Sequence, residues 1–119
     1  HDAARPFVSL VTIRSCFETA AQKGSAVPCV AVNESLRELV GGSSRTVNRA
    51  LYRIVQTPQC FTAKLIKAAF DRHDDPAFTD DATVFEAAGG QMHLVEGNVE
   101  NIKITTPQDL LIADLYADE

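Results

Sequence analysis

His1-Asp2-Ala3-Ala4-Arg5-Pro6 sets an acid and a base three positions apart, beside two small residues and a proline. A constellation of this kind belongs at the end of a strand and needs other chain to hold it. With no strand or glycine-rich loop ahead of it, the stretch predicts the C-terminal part of a larger α/β domain. Outward from it, Leu10, Ile13, Phe17, Ala20 and Ala21 recur at helical spacing, with Ser9 placed as N-cap and Gly24 as C′ residue, so a helix is expected over 10–23. Ala26 to Val32 reads as a strand buried on both faces.

Farther along, Thr62 is placed to cap a second helix running to about His73, with Asp74-Asp75-Pro76 breaking it. Thr79 is placed to cap a third, with Asp80 and Asp81 in its first turn and Gly89-Gly90 at its end. Strands are expected over Met92 to Val95 and Ile102 to Thr105, separated by a turn at Glu96-Gly97-Asn98. Thr106-Pro107-Gln108-Asp109 is a helix start with Thr as N-cap, Pro at N1 and an acid at N3. This alternation predicts an α/β fold with a mostly parallel sheet. Asn33 to Gln56 fits two patterns: Gly41-Gly42-Ser43-Ser44 suggests a hairpin, while Val47, Leu51, Ile54 and Val55 fit helical spacing as well as alternation.

At 119 residues the chain can build one modest core, and 45% hydrophobic with 23% charged residues sets it apart from disordered sequences. A net charge of −5 disfavours nucleic acid or an anionic membrane as a whole-surface partner, while leaving room for a local cationic pocket. No apolar run reaches membrane-spanning length. Cys16, Cys29 and Cys60 are widely spaced in apolar runs and read as reduced packing residues.

Five pieces carry polar chemistry: Asp2 with Arg5, Arg45 with Arg49, Gln56-Thr57-Pro58-Gln59, Thr79-Asp80-Asp81, and Asn101-Ile102-Lys103-Ile104-Thr105. Singly, each has a plain explanation as an exposed ion pair, a solvated face, a turn or a cap. Lys103 sits inside an apolar run, where it either points out of the sheet or is held near an anion.

In order and spacing, His-Asp-Ala-Ala-Arg-Pro, Gln-Thr-Pro-Gln-Cys-Phe, Phe-Thr-Asp-Asp-Ala and Val-Glu-Gly-Asn-Val-Glu-Asn-Ile-Lys-Ile-Thr-Thr-Pro-Gln-Asp-Leu closely resemble the 2-C-methyl-D-erythritol 4-phosphate cytidylyltransferase family across essentially the whole chain. The resemblance implies the C-terminal portion of a single Rossmann-like nucleotidyltransferase domain over 1–119, with a protruding β-hairpin dimerisation arm at about 33–56. It implies a homodimeric cytoplasmic enzyme of isoprenoid synthesis by the non-mevalonate route. CMP passes from CTP, with Mg²⁺, to methylerythritol phosphate, and pyrophosphate leaves.

By the same resemblance, Asp2 lies at the shared edge of the two substrate sites and positions Mg²⁺ or polyol hydroxyls. Ala3 lets backbone approach the nucleotide, and Arg5 hydrogen-bonds the polyol. Lys103 stands beside the reacting phosphates, while Thr57 and Thr79 line the polyol pocket. The arm completes the partner subunit's site, with Ser35 as a hydroxyl contact and Arg49 as a phosphate-binding arginine in trans. The family's glycine-rich CTP loop is not among these residues, so the 119 residues alone are expected to turn over no CTP. Ribitol 5-phosphate cytidylyltransferases share most of these pieces but tend to carry Val at the position of Ala4. A non-catalytic dimerisation fragment is the alternative from a different class.

Overall fold

A computed structural model describes residues 1–72 and 81–118. Helix α1 (Leu10–Lys23) starts where Ser9 accepts the Thr12 amide and stops where Gly24, at φ 93°, takes the left-handed turn. The chain then enters β1 (Ser25–Ala31), whose first five residues are buried. These two elements pack through Cys16, Ala20 and Ala26, with Cys60 against them.

The arm resolves the stretch that fitted two patterns. Strands β2 (Arg37–Val40) and β3 (Ser43–Thr46) pair antiparallel as a hairpin, turned at Gly41 with φ 58°. Every residue of both strands is exposed. A 3₁₀ turn (Arg49–Leu51), capped by Asn48, leads back into β4 (Arg53–Val55). β4 and then β5 (Cys60–Phe61) lie antiparallel along β1, separated by Gln56–Gln59, within which the Thr57–Pro58 peptide is cis. Strand β6 (Leu94–Glu96) pairs with β1 in parallel. The sheet around β1 is therefore mixed rather than mostly parallel, because the chain returns from the arm directly alongside the strand that launched it.

Helix α2 (Ala63–Arg72) begins beside Gly24, whose carbonyl accepts both the amide and the hydroxyl of Thr62. Helix α3 (Asp81–Ala87) buries Val84 and Phe85 against Ala69 of α2. The cap expected at Thr79, together with Asp80 and the break at 74–76, lies outside the described residues. Helix α4 (Pro107–Ala117) carries a complete capping box between Thr106 and Asp109.

The strand expected over Ile102 to Thr105 does not form. That segment is irregular, tied by the Ile104 amide to the Ala4 carbonyl at 2.8 Å rather than by a ladder. Among the described residues no helix is long and apolar enough to cross a membrane.

Candidate functional site

The segment 102–105 runs beside the N-terminal stretch, and this brings Lys103 to Asp2. The ammonium lies 3.9 Å from Asp2 Oδ2, with 55% of the lysine side chain and 31% of the aspartate side chain exposed. That spacing exceeds hydrogen-bond reach, so the pair attracts without locking, and its exposure keeps it worth little to stability. Asp2 is held from its own side: Oδ1 accepts the Ala4 amide at 2.9 Å, and the Asp2 carbonyl accepts the Arg5 amide at 3.0 Å. A tight turn thus aims the second carboxylate oxygen outward, toward Lys103.

Thr57 meets Asp2 from the opposite wall. Its hydroxyl accepts the Asp2 amide at 3.1 Å and lies 2.9 Å from His1 Nδ1. His1 Nε2 lies 2.9 Å from the Arg5 carbonyl, which can only accept. Nε2 therefore carries the proton, and in the neutral ring Nδ1 accepts from Thr57. With the neutral ring, the Thr57 hydroxyl hydrogen points to Nδ1 and its oxygen offers a polyol hydroxyl an acceptor. His1, Asp2, Thr57, Gln59 and Asp81 line a cleft of about 230 Å³.

Arg5 turns inward. Its guanidinium donates to the Asn101 carbonyl at 2.7 Å and to the Val55 carbonyl at 3.4 Å, bracing the N-terminal stretch against the base of the arm. Its Nε is buried without a partner, as is Asn101 Oδ1. Ala3 is exposed in the turn after Asp2. Ser35 and Arg49 lie exposed on the arm, where Arg49 donates to the Asn33 carbonyl at 2.8 Å. No hydrogen bond or ion pair among the described residues links either of them to Asp2, Thr57 or Lys103. Arg45 pairs across the hairpin with Glu38 at 2.6 Å. Thr79 lies outside the described residues.

Three buried or half-buried amides fix these walls, and the sequence reading assigned none of them a role of its own. Asn101 is fully buried, and its Nδ2 donates to the Thr57 carbonyl at 2.8 Å and to Gln56 Oε1 at 3.2 Å. Gln56, 3% exposed, donates onward to the Asn98 carbonyl at 2.9 Å. The Asn98 side chain accepts from the Ser9 amide and the Thr12 hydroxyl, and donates to the Phe7 carbonyl. One network thereby joins the N-terminal stretch, the start of α1, the Gln56–Gln59 loop and the segment bearing Lys103. Asp81 is a further addition. The sequence named it within Thr79-Asp80-Asp81 and in a helix first turn, without a site role of its own, and it faces the cleft that Asp2 lines. Isolated amides and a helix-start acid carry no periodic signal that would have marked them.

Comparisons with known proteins identify the family. The family model for 2-C-methyl-D-erythritol 4-phosphate cytidylyltransferase matches residues 1–119. The enzyme of that name from Bacteroides thetaiotaomicron is 54% identical over 112 residues, covering 94% of this chain and 51% of the relative. The crystal structure of the Thermus thermophilus enzyme superposes with a TM-score of 0.86 at 38% identity, covering all of this chain and 60% of that one. The 4-diphosphocytidyl-2C-methyl-D-erythritol synthase of Anaerococcus prevotii gives 0.89 at 27% identity, covering all of this chain and 55% of that one. The fold is accordingly α/β and Rossmann-like, as in these solved enzymes.

The chain spans about half the length of the curated relatives it matches. The reading of the chain as a truncated C-terminal portion is corrected by the family match, which takes in the whole of it. The chain belongs to the 2-C-methyl-D-erythritol 4-phosphate cytidylyltransferase family.

Proposed function

We propose that the protein moves CMP from CTP to 2-C-methyl-D-erythritol 4-phosphate, and that the cleft at Asp2, Thr57 and Lys103 receives the polyol phosphate. The observation that carries this is the meeting of Asp2 and Lys103, from opposite ends of the chain, beside a hydroxyl-lined cleft. In the reaction a phosphate oxygen of the acceptor bonds to the α-phosphorus of CTP, and the bond from that phosphorus to the bridging oxygen breaks, releasing pyrophosphate. Two polyanions must come together, and two unit charges at 4 Å repel by about 4 kcal/mol at an effective dielectric near 20. Such chemistry asks the protein chiefly for positive charge and alignment.

Lys103 answers the first need. Held loosely by Asp2, its ammonium is free to turn to an incoming phosphate and to the charge that develops in transfer. Asp2 and Thr57 answer the second, each presenting oxygen acceptors to polyol hydroxyls. The braced guanidinium of Arg5 keeps positive charge behind that wall and orients it.

Among the described residues no three His, Cys, Asp or Glu side chains cluster as metal ligands. Mg²⁺ asks for fewer, since one or two carboxylates with substrate phosphates suffice, and Asp2 fits that part. A bound Mg²⁺ supplies charge neutralisation to the triphosphate.

The arm supports a homodimer, as its strands expose Leu39 at 84% and Leu51 follows at 79%. In that assembly Ser35 and Arg49 complete the partner's acceptor site, Arg49 pairing with the acceptor phosphate in trans. Acceptor choice is tested by calorimetric titration with methylerythritol phosphate and ribitol 5-phosphate side by side. At least tenfold tighter binding of methylerythritol phosphate is expected. Preference for ribitol 5-phosphate would keep the fold and move the protein to polyol-phosphate chemistry of another kind.

A further inference from the structure

Two of the three thiols share one buried cluster. Cys16, in the middle of α1, is fully buried, and Cys60, the first residue of β5, is 8% exposed. Both belong to the one buried cluster, with Ala20 and Ala26, that joins helix to sheet. Cys60 also lines an open apolar cleft of about 790 Å³, with Ile13, Phe17, Ala20 and Pro58 around it. A small uncharged oxidant can reach one sulfur of the pair from that cleft, while the other waits behind it.

We propose that Cys16 and Cys60 form a paired oxidation site, which a hydroperoxide converts to a disulfide stapling α1 to β5. The Cys60 thiolate attacks the outer peroxide oxygen and the O–O bond breaks. An alcohol, or water from hydrogen peroxide, leaves with the proton, and Cys60 becomes a sulfenic acid. The Cys16 sulfur then attacks the Cys60 sulfur, the S–O bond breaks, and water leaves with the Cys16 proton. The two thiols are oxidised by two electrons and the peroxide is reduced by two.

The Cys16 thiol donates to Cys60 and holds its ionisation below the usual thiol range, while this contact and burial push Cys16 up. Position sets the order of events: Cys60 lines the cleft and reacts first, and Cys16, fully buried, resolves. Cys29, buried on β1, is raised chiefly by burial and stands apart as an internal control.

The staple has a consequence for the site. Cys60 follows Thr57-Pro58-Gln59 directly, and α1 follows the stretch that carries Asp2. A bond between them fixes both walls of the candidate site to one another.

The test treats the chain with hydrogen peroxide, unfolds it, alkylates free thiols with a maleimide and maps the peptides by mass. The folded chain is expected to yield a Cys16–Cys60 linked peptide, with Cys29 alone alkylated, and dithiothreitol is expected to restore all three labels. Peroxide added in urea is expected to lose that pairing preference. With Cys16→Ser, dimedone is expected to trap a sulfenic acid on Cys60. Retention of all three labels overturns the proposal, as does a link through Cys29, a link between two chains, or the same yield in urea.

Discussion

Lys103 stands with more than half its side chain in solvent and, among the described residues, pairs with Asp2 alone, so its removal costs the fold little. Lys103→Ala is expected to change stability by less than about 0.5 kcal/mol. It is also expected to weaken methylerythritol phosphate binding by roughly a hundredfold, given the worth of a charged contact to phosphate. Thermal unfolding and calorimetry on the same sample separate the two effects, and unchanged affinity would remove Lys103 from the site. Asn101 is the opposite case, fully buried and spent on the Thr57 carbonyl and Gln56. Asn101→Leu leaves both acceptors unpaired and is expected to cost about 2–3 kcal/mol in urea unfolding. The sequence made Lys103 conspicuous because a charge interrupts an apolar run. It could not single out Asn101, since a buried amide gains its meaning only from the partners that folding brings.

Gly97 ends β6 where the backbone passes close to Gln56. A methyl group there would press on Gln56 Oε1, which is held in place by Asn101, and would meet the Cys29 carbonyl at 3.2 Å. Gly97→Ala is therefore expected to destabilise by about 1–3 kcal/mol, as overpacking does, and to loosen the Thr57 wall. A denaturation midpoint equal to that of the unsubstituted chain would count against this crowding.

Helix α4 makes a second prediction at this scale. The Thr105 backbone amide, and then the Thr106 hydroxyl and amide, hold the Asp109 carboxyl below its ordinary value of 3.8. A folded-state pKa that is depressed gives stability present above 3.8 and lost as pH falls through the lower folded value. NMR shifts of residues 107–117 should show the first turn of α4 fraying below pH 3.8, and Asp109→Asn should flatten that dependence.

Helix ends were legible because Ser9, Gly24, Thr106 and Pro107 act on backbone within a few residues of themselves. The sense of the sheet was not, because β1 draws β4 and β5 from the chain that returns after the hairpin and β6 from farther on, and no local pattern records that choice. Ile102 to Thr105 alternates as a strand does, yet a ladder needs a neighbour, and the Ile104 amide finds one carbonyl of the N-terminal stretch instead.

The molecule as a whole exposes more surface than its mass warrants. Its 8335 Å² stands against about 6,300 Å² for a folded monomer of 12.9 kDa. Its radius of gyration is 16.1 Å, against about 13.5 Å for a compact chain of this length. The chain spans about half the length of its curated relatives, so this excess is not itself an interface area. Exposed Leu39, Leu51 and Ile54 place part of it on the arm and the strand after it. Sedimentation is expected to show a dimer that Leu39→Glu with Leu51→Glu disrupts, and a sharp monomer at high concentration would argue against it.

The trans role of Arg49 is tested by mixing. Arg49→Ala and Lys103→Ala chains, each failing to bind acceptor, should regain binding when subunits exchange. A mixed dimer has one site with both defects and one with neither. Exchange without recovery would refute the trans arrangement.

The most direct test of the acceptor site is an amide NMR titration of the chain with methylerythritol phosphate. Saturable shifts centred on Asp2, Ala4, Thr57 and Ile104, weaker with ribitol 5-phosphate and abolished by Lys103→Ala, are the predicted result. Shifts confined to the larger apolar cleft at Ile13 and Ile66, with Asp2 and Thr57 unmoved, would contradict the assignment.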